Sequence, residues 1–302
     1  MTNYALARPV VYGSKEKVDE LVNSFGVPSS KSHSFLTLKL ADLVTTYKDD
    51  RRVLTKLTVL LEFGYKPSEL LHEIIQRNDI EALDFVVNVV ESHKEVQRWV
   101  FLDSSFVEMS LHACLKKYHI DLGQKIYSRY KEVLADDEPP RLSILAPYFR
   151  LLANRYFEEW QRVDVMFQYL KSRYGIIPDS TLASTLLLIY ANVNEHAKAR
   201  ECYKYTVMNG KDQQVMMKSA LRASDDDTVS DILQHPNFTL DHFLVYTYYE
   251  ILDLFIRKGK YADAQELFTA LFQKHWKSEH DESHARIRRW GQSFNLRLPS
   301  ED

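Results

Sequence analysis

The sequence predicts an all-α fold, a right-handed α-solenoid built from about six to eight stacked helix-turn-helix hairpins. Three observations carry this prediction. The 302 residues include only 8 glycines and 9 prolines, too few for the many tight turns of a β-sandwich or barrel. Apolar residues recur at helical spacing from about residue 37 onward, in segments separated by short polar breaks. One arrangement of small, aromatic and large apolar residues recurs along these segments, as it does in stacked hairpins.

The composition limits the classes of function that are expected for this protein. Hydrophobic residues make up 45% of the chain and charged residues 27%, which is typical of a soluble globular protein. The formal net charge of -3 provides no global basic field, so strong unspecific binding of polyanions is not expected. Cys114 and Cys202 lie in helical apolar patterns and are predicted to be buried thiols in a reducing compartment. No uncharged apolar run approaches the roughly 20 residues that cross a bilayer.

The chain divides into three predicted regions. Residues 1–36 form an N-terminal extension whose order the sequence leaves open, residues 37–273 form the helical-repeat solenoid, and residues 274–302 form a basic C-terminal capping helix and tail. The extension has no secretory apolar region and carries one arginine in its first twelve residues, short of an Arg-rich transit peptide. The chain is therefore either cytosolic or nuclear, or a processed or trimmed form.

The elements follow in order along the solenoid region. The segment VLTKLTVLLEFG ends at Gly64, and Pro67 with Ser68 as a cap begins the next helix. Further helices are predicted in DIEALDFVVNVVESH, FVEMSLHACLKKY and DLGQKIYSRYKEVLA. A loop runs from Asp136 to Pro140, and the segments LSILAPYFRLLANRYF and WQRVDVMFQYLKSRYG form the following pair.

The repeating arrangement is clearest in IRKGKYADAQELFTALF. Gly259 falls just past one helix, where a positive φ is easiest for glycine. Ala264, Phe268 and Leu271 then lie on one face of the next helix. The small residue lets the second helix approach the first, and the aromatic ring fills the groove to the neighbouring hairpin.

The same frame occurs between Pro178 and Gly210. Asp179 is predicted to cap a helix, Asn194 takes the position of the joint, and Ala199 with Tyr203 match the small and aromatic positions. The unit is expected to end at Gly210. Fainter copies place small, aromatic and large apolar residues at Gly123, Tyr127 and Tyr130 and at Val163, Phe167 and Leu170, and a further hairpin runs through VMMKSALRASDDDTVSDILQ.

On these residues, Pro178–Gly210 and Tyr246–Phe272 resemble pentatricopeptide repeats, over about a fifth of the chain. The Pro-Asp before the first helix, the late tyrosine in that helix and the Gly-Ala-Phe-Leu spacing carry the resemblance. The tetratricopeptide family shares the architecture and is the second choice, because its Trp and Leu-Gly positions are missing here.

The resemblance implies RNA binding in an organelle, usually the mitochondrion outside plants, with one base read per repeat. It places the base-facing positions of the first helices at Tyr148, Ser184, Ser219 and Tyr249. The partner positions fall on Asp179 and Gln214. Their pairings, Ser184 with Gln214 and Tyr148 with Asp179, are not pairs of the family's code. They fit degenerate fungal-type repeats or repeats turned to protein binding. For Tyr148 and Tyr249, a role as half-buried packing residues is predicted equally with a role in stacking on bases.

The C-terminal region is basic and aromatic. It concentrates cations around Trp276, Trp290 and Phe294, at Lys274, Lys277, Arg286, Arg288, Arg289 and Arg297. Cations contact phosphates and aromatic faces stack on unpaired bases, so the pattern predicts a surface for single-stranded RNA. The alternative is a capping helix with a solvated basic face and apolar residues packed under the last repeat.

Metal and cofactor sites are not predicted. His280 and His284 have helical i, i+4 spacing, but no third ligand accompanies them, and an exposed polar helix is the favoured interpretation. Cys114, near His112 and His119, lies on an apolar stripe and is interpreted as core.

Enzyme signatures are also missing from the sequence. The glycines are isolated and no G-x-S-x-G elbow occurs. The acidic runs at Asp49, Asp136 and Asp225 read as loop or cap charges. The chain is therefore predicted not to be an enzyme.

The resulting hypothesis is a non-catalytic RNA-binding protein of the mitochondrial matrix that supports mRNA stability, processing or translation. Its partner would be single-stranded RNA, as a mitochondrial transcript or a ribonucleoprotein, and not DNA. The alternative is a cytoplasmic or organellar scaffold that holds a protein partner in the solenoid groove, or a subunit of a ribosome or assembly complex. A third possibility is an accessory subunit that packs against an enzyme. A continuous basic and aromatic surface joining the first helices to the tail favours RNA, and an apolar, uncharged surface favours the scaffold.

Overall fold

The computed structural model describes residues 38, 40–47, 57, 58, 61, 67–275 and 282–298. These residues form helices and connecting turns, and no strand occurs among them. They separate into two compact units that divide between Ile177 and Pro178. The all-α solenoid class is confirmed, because consecutive helix hairpins stack within each unit. The N-terminal extension 1–36 and Gly64 lie outside the described residues.

Unit 1 contains seven bounded helices in the described range, preceded by helical residues at 40–46. The helices are α1 (Ser68–Gln76), α2 (Ile80–Glu91), α3 (Lys94–Leu102), α4 (Ser104–Lys117), α5 (Ile120–Val133), α6 (Leu142–Leu152) and α7 (Trp160–Tyr174). The predicted loop from Asp136 to Pro140 separates α5 from α6.

Unit 2 contains seven more in the described range. They are α8 (Ser180–Asn192), α9 (His196–Tyr203), α10 (Gly210–Ala223), α11 (Asp226–Leu233), α12 (Val245–Arg257), α13 (Tyr261–His275) and α14 (Glu282–Ser293). The pairs α8/α9, α10/α11 and α12/α13 are the hairpins, and α8, α10 and α12 are their first helices. None of the described helices is long and apolar enough to cross a membrane.

The start of α1 differs from the prediction. Pro67 occupies the N-cap position with φ -75°, Ser68 is the first helical residue, and no side chain caps this end. The hydroxyl of Ser68 therefore lies one position too late to act as the N-cap acceptor. Aspartates cap α2 and α4 as local rules expect: the carboxylate of Asp79 accepts from the Ala82 amide at 3.0 Å, and that of Asp103 accepts from the Ser105 and Phe106 amides.

Unit 1 packs around a small residue and several aromatic rings. A Cβ atom on Gly123 of α5 would lie 2.0 Å from Cδ2 of Leu151 on α6, so any larger residue would force the Leu151 side chain to move. Tyr127 stacks on Tyr148, with ring centroids 3.7 Å apart. All six residues of the two fainter copies are buried: Gly123, Tyr127, Tyr130, Val163, Phe167 and Leu170.

The joints of unit 2 confirm the repeat frame. The carboxylate of Asp179 accepts from the Leu182 amide at 2.8 Å and caps α8. Asn194, after α8, has φ 62°, and Gly259, after α12, has φ 75°. These are the left-handed conformations that asparagine and glycine adopt most easily. The matched small and aromatic residues Ala199, Tyr203, Ala264 and Phe268 are buried behind them.

The position of Gly210 in the repeat frame differs from the prediction. This glycine does not end a unit, because it is the first residue of α10, and Asn209 before it caps that helix by accepting from the Lys211 and Asp212 amides. A Cβ atom at Gly210 would lie 3.1 Å from the His242 ring. A small residue is needed there for packing against the following hairpin rather than for a turn.

The last helix, α14, packs on α13. Ile287, Trp290 and Gly291 form its buried face, and a Cβ atom on Gly291 would lie 2.5 Å from Cζ of Phe268. The side-chain amide of Gln265 on α13 holds the chain after α14, because it accepts from the Arg297 amide and donates to the Arg297 carbonyl, both at 2.8 Å. Trp276, Lys277 and His280 lie outside the described residues, and the His284 side chain is not described.

Candidate nucleic-acid interface

A groove runs over the first helices of the three hairpins in unit 2. It consists of two clefts that share Arg222, and we refer to them together as the helix-A groove. The first cleft, of about 500 Å³, is lined by Asn192, Asn194, His196, Ser219, Arg222 and Ala223. The second, of about 550 Å³, is lined by Lys218, Leu221, Arg222, Tyr246, Tyr249, Glu250, Asp253 and Arg257.

The groove carries three cations. Lys218 and Arg222 lie one turn apart on α10, and both are exposed. A guanidinium nitrogen of Arg222 donates to the Ala191 carbonyl at 3.3 Å, which steadies the side chain against α8. Arg257 on α12 forms an ion pair with Asp253 at 2.8 Å, and its side chain is 61% exposed, so solvent screens this pair.

Aromatic rings continue this surface from α12 to the C-terminal helix. Tyr246 is 62% exposed, and its ring lies at 25° to that of Tyr249 with centroids 6.2 Å apart. Tyr249 in turn contacts Trp290, at 5.4 Å, and Phe294, at 5.2 Å, between ring centroids. The first helix of the last hairpin therefore meets Trp290 and Phe294 of the tail, and Tyr246 is the most exposed of these four rings.

A polar cluster forms one wall of the groove. His196 on α9 donates from Nε2 to Asp225 Oδ2 at 2.8 Å, and its Nδ1 lies 3.0 Å from the Ser219 hydroxyl on α10. Burial alone would raise the pKa of Asp225, but hydrogen bonds from His196 and Thr228 outweigh it and lower the pKa to about 2. Asp225 also caps α11, as its position in the sequence predicts, by accepting from the Thr228 amide at 3.1 Å.

The cluster contains serine, histidine and aspartate, but its hydrogen bonds serve to hold neighbouring helices together. Ser219 lies inside α10 and is only 3% exposed, and its hydroxyl is held by the ring of His196. The hydrogen bonds join α9, α10 and the turn before α11. Their effect is to hold two consecutive hairpins in register beneath the groove.

The predicted row of base-facing residues is only partly accessible. Tyr148 lies in unit 1, is 8% exposed and is stacked on Tyr127, which is the arrangement that the packing interpretation predicts. Ser219 is buried in the polar cluster, whereas Ser184 and Tyr249 are half-buried. The sequence could not show this, because burial depends on which helix the next hairpin places against each residue.

The side chains at the two partner positions, Asp179 and Gln214, form hydrogen bonds with the backbone of the protein itself. Asp179 caps α8, and the side-chain amide of Gln214 donates to the His242 carbonyl. Both side chains hold backbone in place. This agrees with the observation that their pairings do not follow the family's code.

The cations of the tail stand on the outer face of α14. Arg286, Arg288 and Arg289 are exposed, while Trp290 beside them is buried and supports Tyr249. Arg297 is exposed and its backbone is fixed by Gln265. Outside α14, Lys274 forms an ion pair with Asp241, and Lys277 lies outside the described residues.

Sequence reasoning missed Tyr246. Its i, i+3 spacing from Tyr249 places both rings on one face of α12, and this spacing can be seen in the sequence. What the sequence lacked was the neighbouring α10, whose Lys218 and Arg222 complete the cleft.

The described residues contain no group of three His, Cys, Asp or Glu side chains that could hold a metal ion. Cys114 is buried as predicted, and burial raises the pKa of its thiol to about 12, which makes it unreactive. Cys202 is also buried.

These features define a helical-repeat protein with a charged and aromatic groove along its first helices. No protein-family profile and no curated protein matches the sequence. Among solved structures, the chain is similar to the pentatricopeptide repeat protein PPR10 from maize, with a TM-score of 0.37 and 13% sequence identity over 98% of this chain and 49% of that one. The chain thus spans about half the length of that protein.

Proposed function

We propose that this protein binds single-stranded RNA in the helix-A groove and performs no chemistry on it. One observation carries the proposal: the exposed ring of Tyr246, backed by Tyr249, shares a cleft with Lys218, Arg222 and Arg257. Proteins that bind single strands combine aromatic rings, on which bases stack, with cations that follow the phosphates.

The arrangement favours an unpaired strand over a duplex. A ring such as Tyr246 gains stacking energy only from a base whose face is free, and the bases of a helix are already stacked. The charges favour a limited contact, because Glu250 and Asp253 lie in the same cleft as the three cations. With a net charge of -3, the chain gains little from unspecific attraction.

We also propose a cellular location for this RNA binding. The repeat residues in Pro178–Gly210 and Tyr246–Phe272 are the ground for placing the protein in the mitochondrial matrix. There it would hold a transcript, or a ribonucleoprotein, and support its stability, processing or translation. The scaffold alternative requires an apolar and uncharged groove, and the lining of this groove is charged and aromatic instead.

Replacing Tyr246 by alanine tests the site directly. Loss of one stacking ring should weaken the binding of a fluorescein-labelled, mixed-sequence single-stranded RNA by roughly 5- to 100-fold. Fluorescence anisotropy with the full chain measures this. The matched control is Tyr261→Ala, since Tyr261 is similarly exposed, at 60%, but does not line the groove.

Two results would contradict the proposal. One is an affinity for RNA that is unchanged in the Tyr246→Ala variant. The other is equal binding of the same RNA after it has been annealed to its complement, since a duplex offers no free base faces.

A further inference from the structure

A second set of exposed rings and cations lies in unit 1, at the turns within two consecutive hairpins. Tyr118 ends α4 at the turn into α5, and Arg155 with Tyr156 lies in the turn between α6 and α7. Because α4 and α6 pack side by side, these turns are neighbours. We refer to Tyr118, Arg155 and Tyr156 as the turn cluster.

The guanidinium of Arg155 is shared by the two rings. Its Cζ lies 5.4 Å from the centroid of Tyr118 and 5.8 Å from that of Tyr156. Tyr118 is 54% exposed and Tyr156 is 71% exposed. Among the described residues, Arg155 has no carboxylate partner, so its charge is directed only at the rings and at solvent.

The turns hold the cluster in place. Tyr118 has φ 56°, and its amide donates to the Leu115 carbonyl at 3.3 Å. In the other turn, the side-chain oxygen of Asn154 accepts from the Tyr156 amide at 2.8 Å. Arg150 donates to the Asn154 carbonyl at 3.1 Å and lies over the ring of Phe157 at 4.3 Å. The rings are therefore presented by ordered backbone, which lowers the entropy cost of binding.

We propose that the turn cluster is a second contact site for single-stranded RNA, separate from the helix-A groove. This inference rests on the proposed function for the class of ligand, but on different residues. Bases stack on Tyr118 and Tyr156, and Arg155, with Lys116 and Lys117 at the end of α4, contacts phosphate.

The chemistry of the turns favours RNA over a protein partner. The core of a protein interface is apolar, and lysine and glutamate, of which these turns contain two each, are depleted there. The turn sequences are KKY, residues 116–118, and NRYFEE, residues 154–159, and they contain no aliphatic side chain. Phe157, the one ring of the turns without a polar group, is already covered by Arg150.

The test combines Tyr118→Asn with Tyr156→Ala in the full chain. Asparagine accommodates the positive φ at position 118, so the turn is kept while the ring is lost. Anisotropy with the same labelled RNA should show an affinity lower by at least about tenfold, from two stacking positions. The matched control, Tyr118→Phe with Tyr156→Phe, keeps both rings and should bind as the native chain does. Arg155→Glu, which keeps the rings and reverses the charge, should also weaken binding.

The outcomes separate this inference from the proposed function. Unchanged RNA affinity in the double variant, with Tyr246→Ala still impaired, overturns the turn cluster and leaves the groove standing. Loss in the double variant with none in Tyr246→Ala supports the cluster and contradicts the groove. A double variant that loses a captured protein but no RNA affinity overturns the inference in favour of a protein surface. A native chain that binds no RNA overturns both.

Discussion

At the scale of single residues, Asp225 shows how one side chain joins three elements of unit 2. It caps α11, accepts from His196 on α9, and through His196 reaches Ser219 on α10. Its side chain is only 17% exposed, so these hydrogen bonds are little screened by solvent. The sequence predicted the cap, since an Asp before a helix start is a local signal, but the histidine 29 positions away was not predictable from spacing.

The charge of Asp225 predicts a pH-dependent stability. Its pKa in the folded chain is about 2, below the ordinary value of 3.8. The carboxylate therefore stabilises the fold fully above about pH 4, and this contribution is lost as the pH falls toward about 2. Asp225→Asn should lower the free energy of unfolding by about 2 kcal/mol near pH 7 and by less near pH 3, measured by urea unfolding. Asparagine can still cap the helix through its Oδ1, but its amide nitrogen cannot accept from His196 or from the Thr228 hydroxyl, so the pH dependence of the loss, and not its size at one pH, reports the charge.

Asp227→Asn is the control for this measurement. Asp227 lies two residues further along the chain but is 80% exposed, and its ion pair with Lys260 lies in solvent. Its replacement should change the free energy of unfolding little at either pH. An equal loss for Asp225→Asn near pH 7 and near pH 3 would mean that the shape of the cluster matters and its charge does not.

At the scale of elements, α14 has two faces with different roles. Ile287, Trp290 and Gly291 pack inward, and the arginines at 286, 288 and 289 point outward. The two interpretations of the tail in the sequence therefore apply to different residues of one helix. Among the described residues, Trp290 packs under the last repeat, and the three arginines are exposed to solvent.

Reversing the charge of those three arginines tests their role. Arg286→Glu, Arg288→Glu and Arg289→Glu together should weaken RNA binding by about tenfold or more at moderate salt, because each lost phosphate contact removes counterion release. The circular dichroism spectrum should stay that of the native chain, since all three side chains are exposed.

The matched control applies the same charge reversal to exposed cations of unit 1, at Lys94, Arg98 and Lys131. Both triple variants change the net charge by the same amount. If both lose RNA affinity equally, the effect is one of total charge, and α14 carries no site.

At the scale of the whole molecule, the features that the sequence predicted correctly are those that depend on residues close together along the chain. Asp179 caps a helix, and Asn194 and Gly259 form joints, because a carboxylate before a helix and a residue that tolerates positive φ act within one or two turns of chain. Repetition of these signals was enough to predict an all-α helical-repeat fold.

The residues that face a ligand were harder to predict. Tyr148 and Tyr249 share a position in the repeat frame, yet Tyr148 is buried against Tyr127 and Tyr249 lines the groove. Arg155 pairs with Tyr118 only because α4 and α6 pack side by side. Each depends on contacts between hairpins, and a single sequence with degenerate repeats does not specify them.

The measurement that tests the central claim most directly is crosslinking of the full chain to RNA in native cell extract, followed by sequencing of the attached RNA. The native protein should enrich one or a few transcripts, and a variant with Tyr246→Ala and Arg222→Glu should lose them while the Tyr261→Ala control retains them. Mitochondrial transcripts in the enriched set would support the proposed location. A native protein that captures protein partners but no RNA, or a groove variant that retains every transcript, would contradict the account.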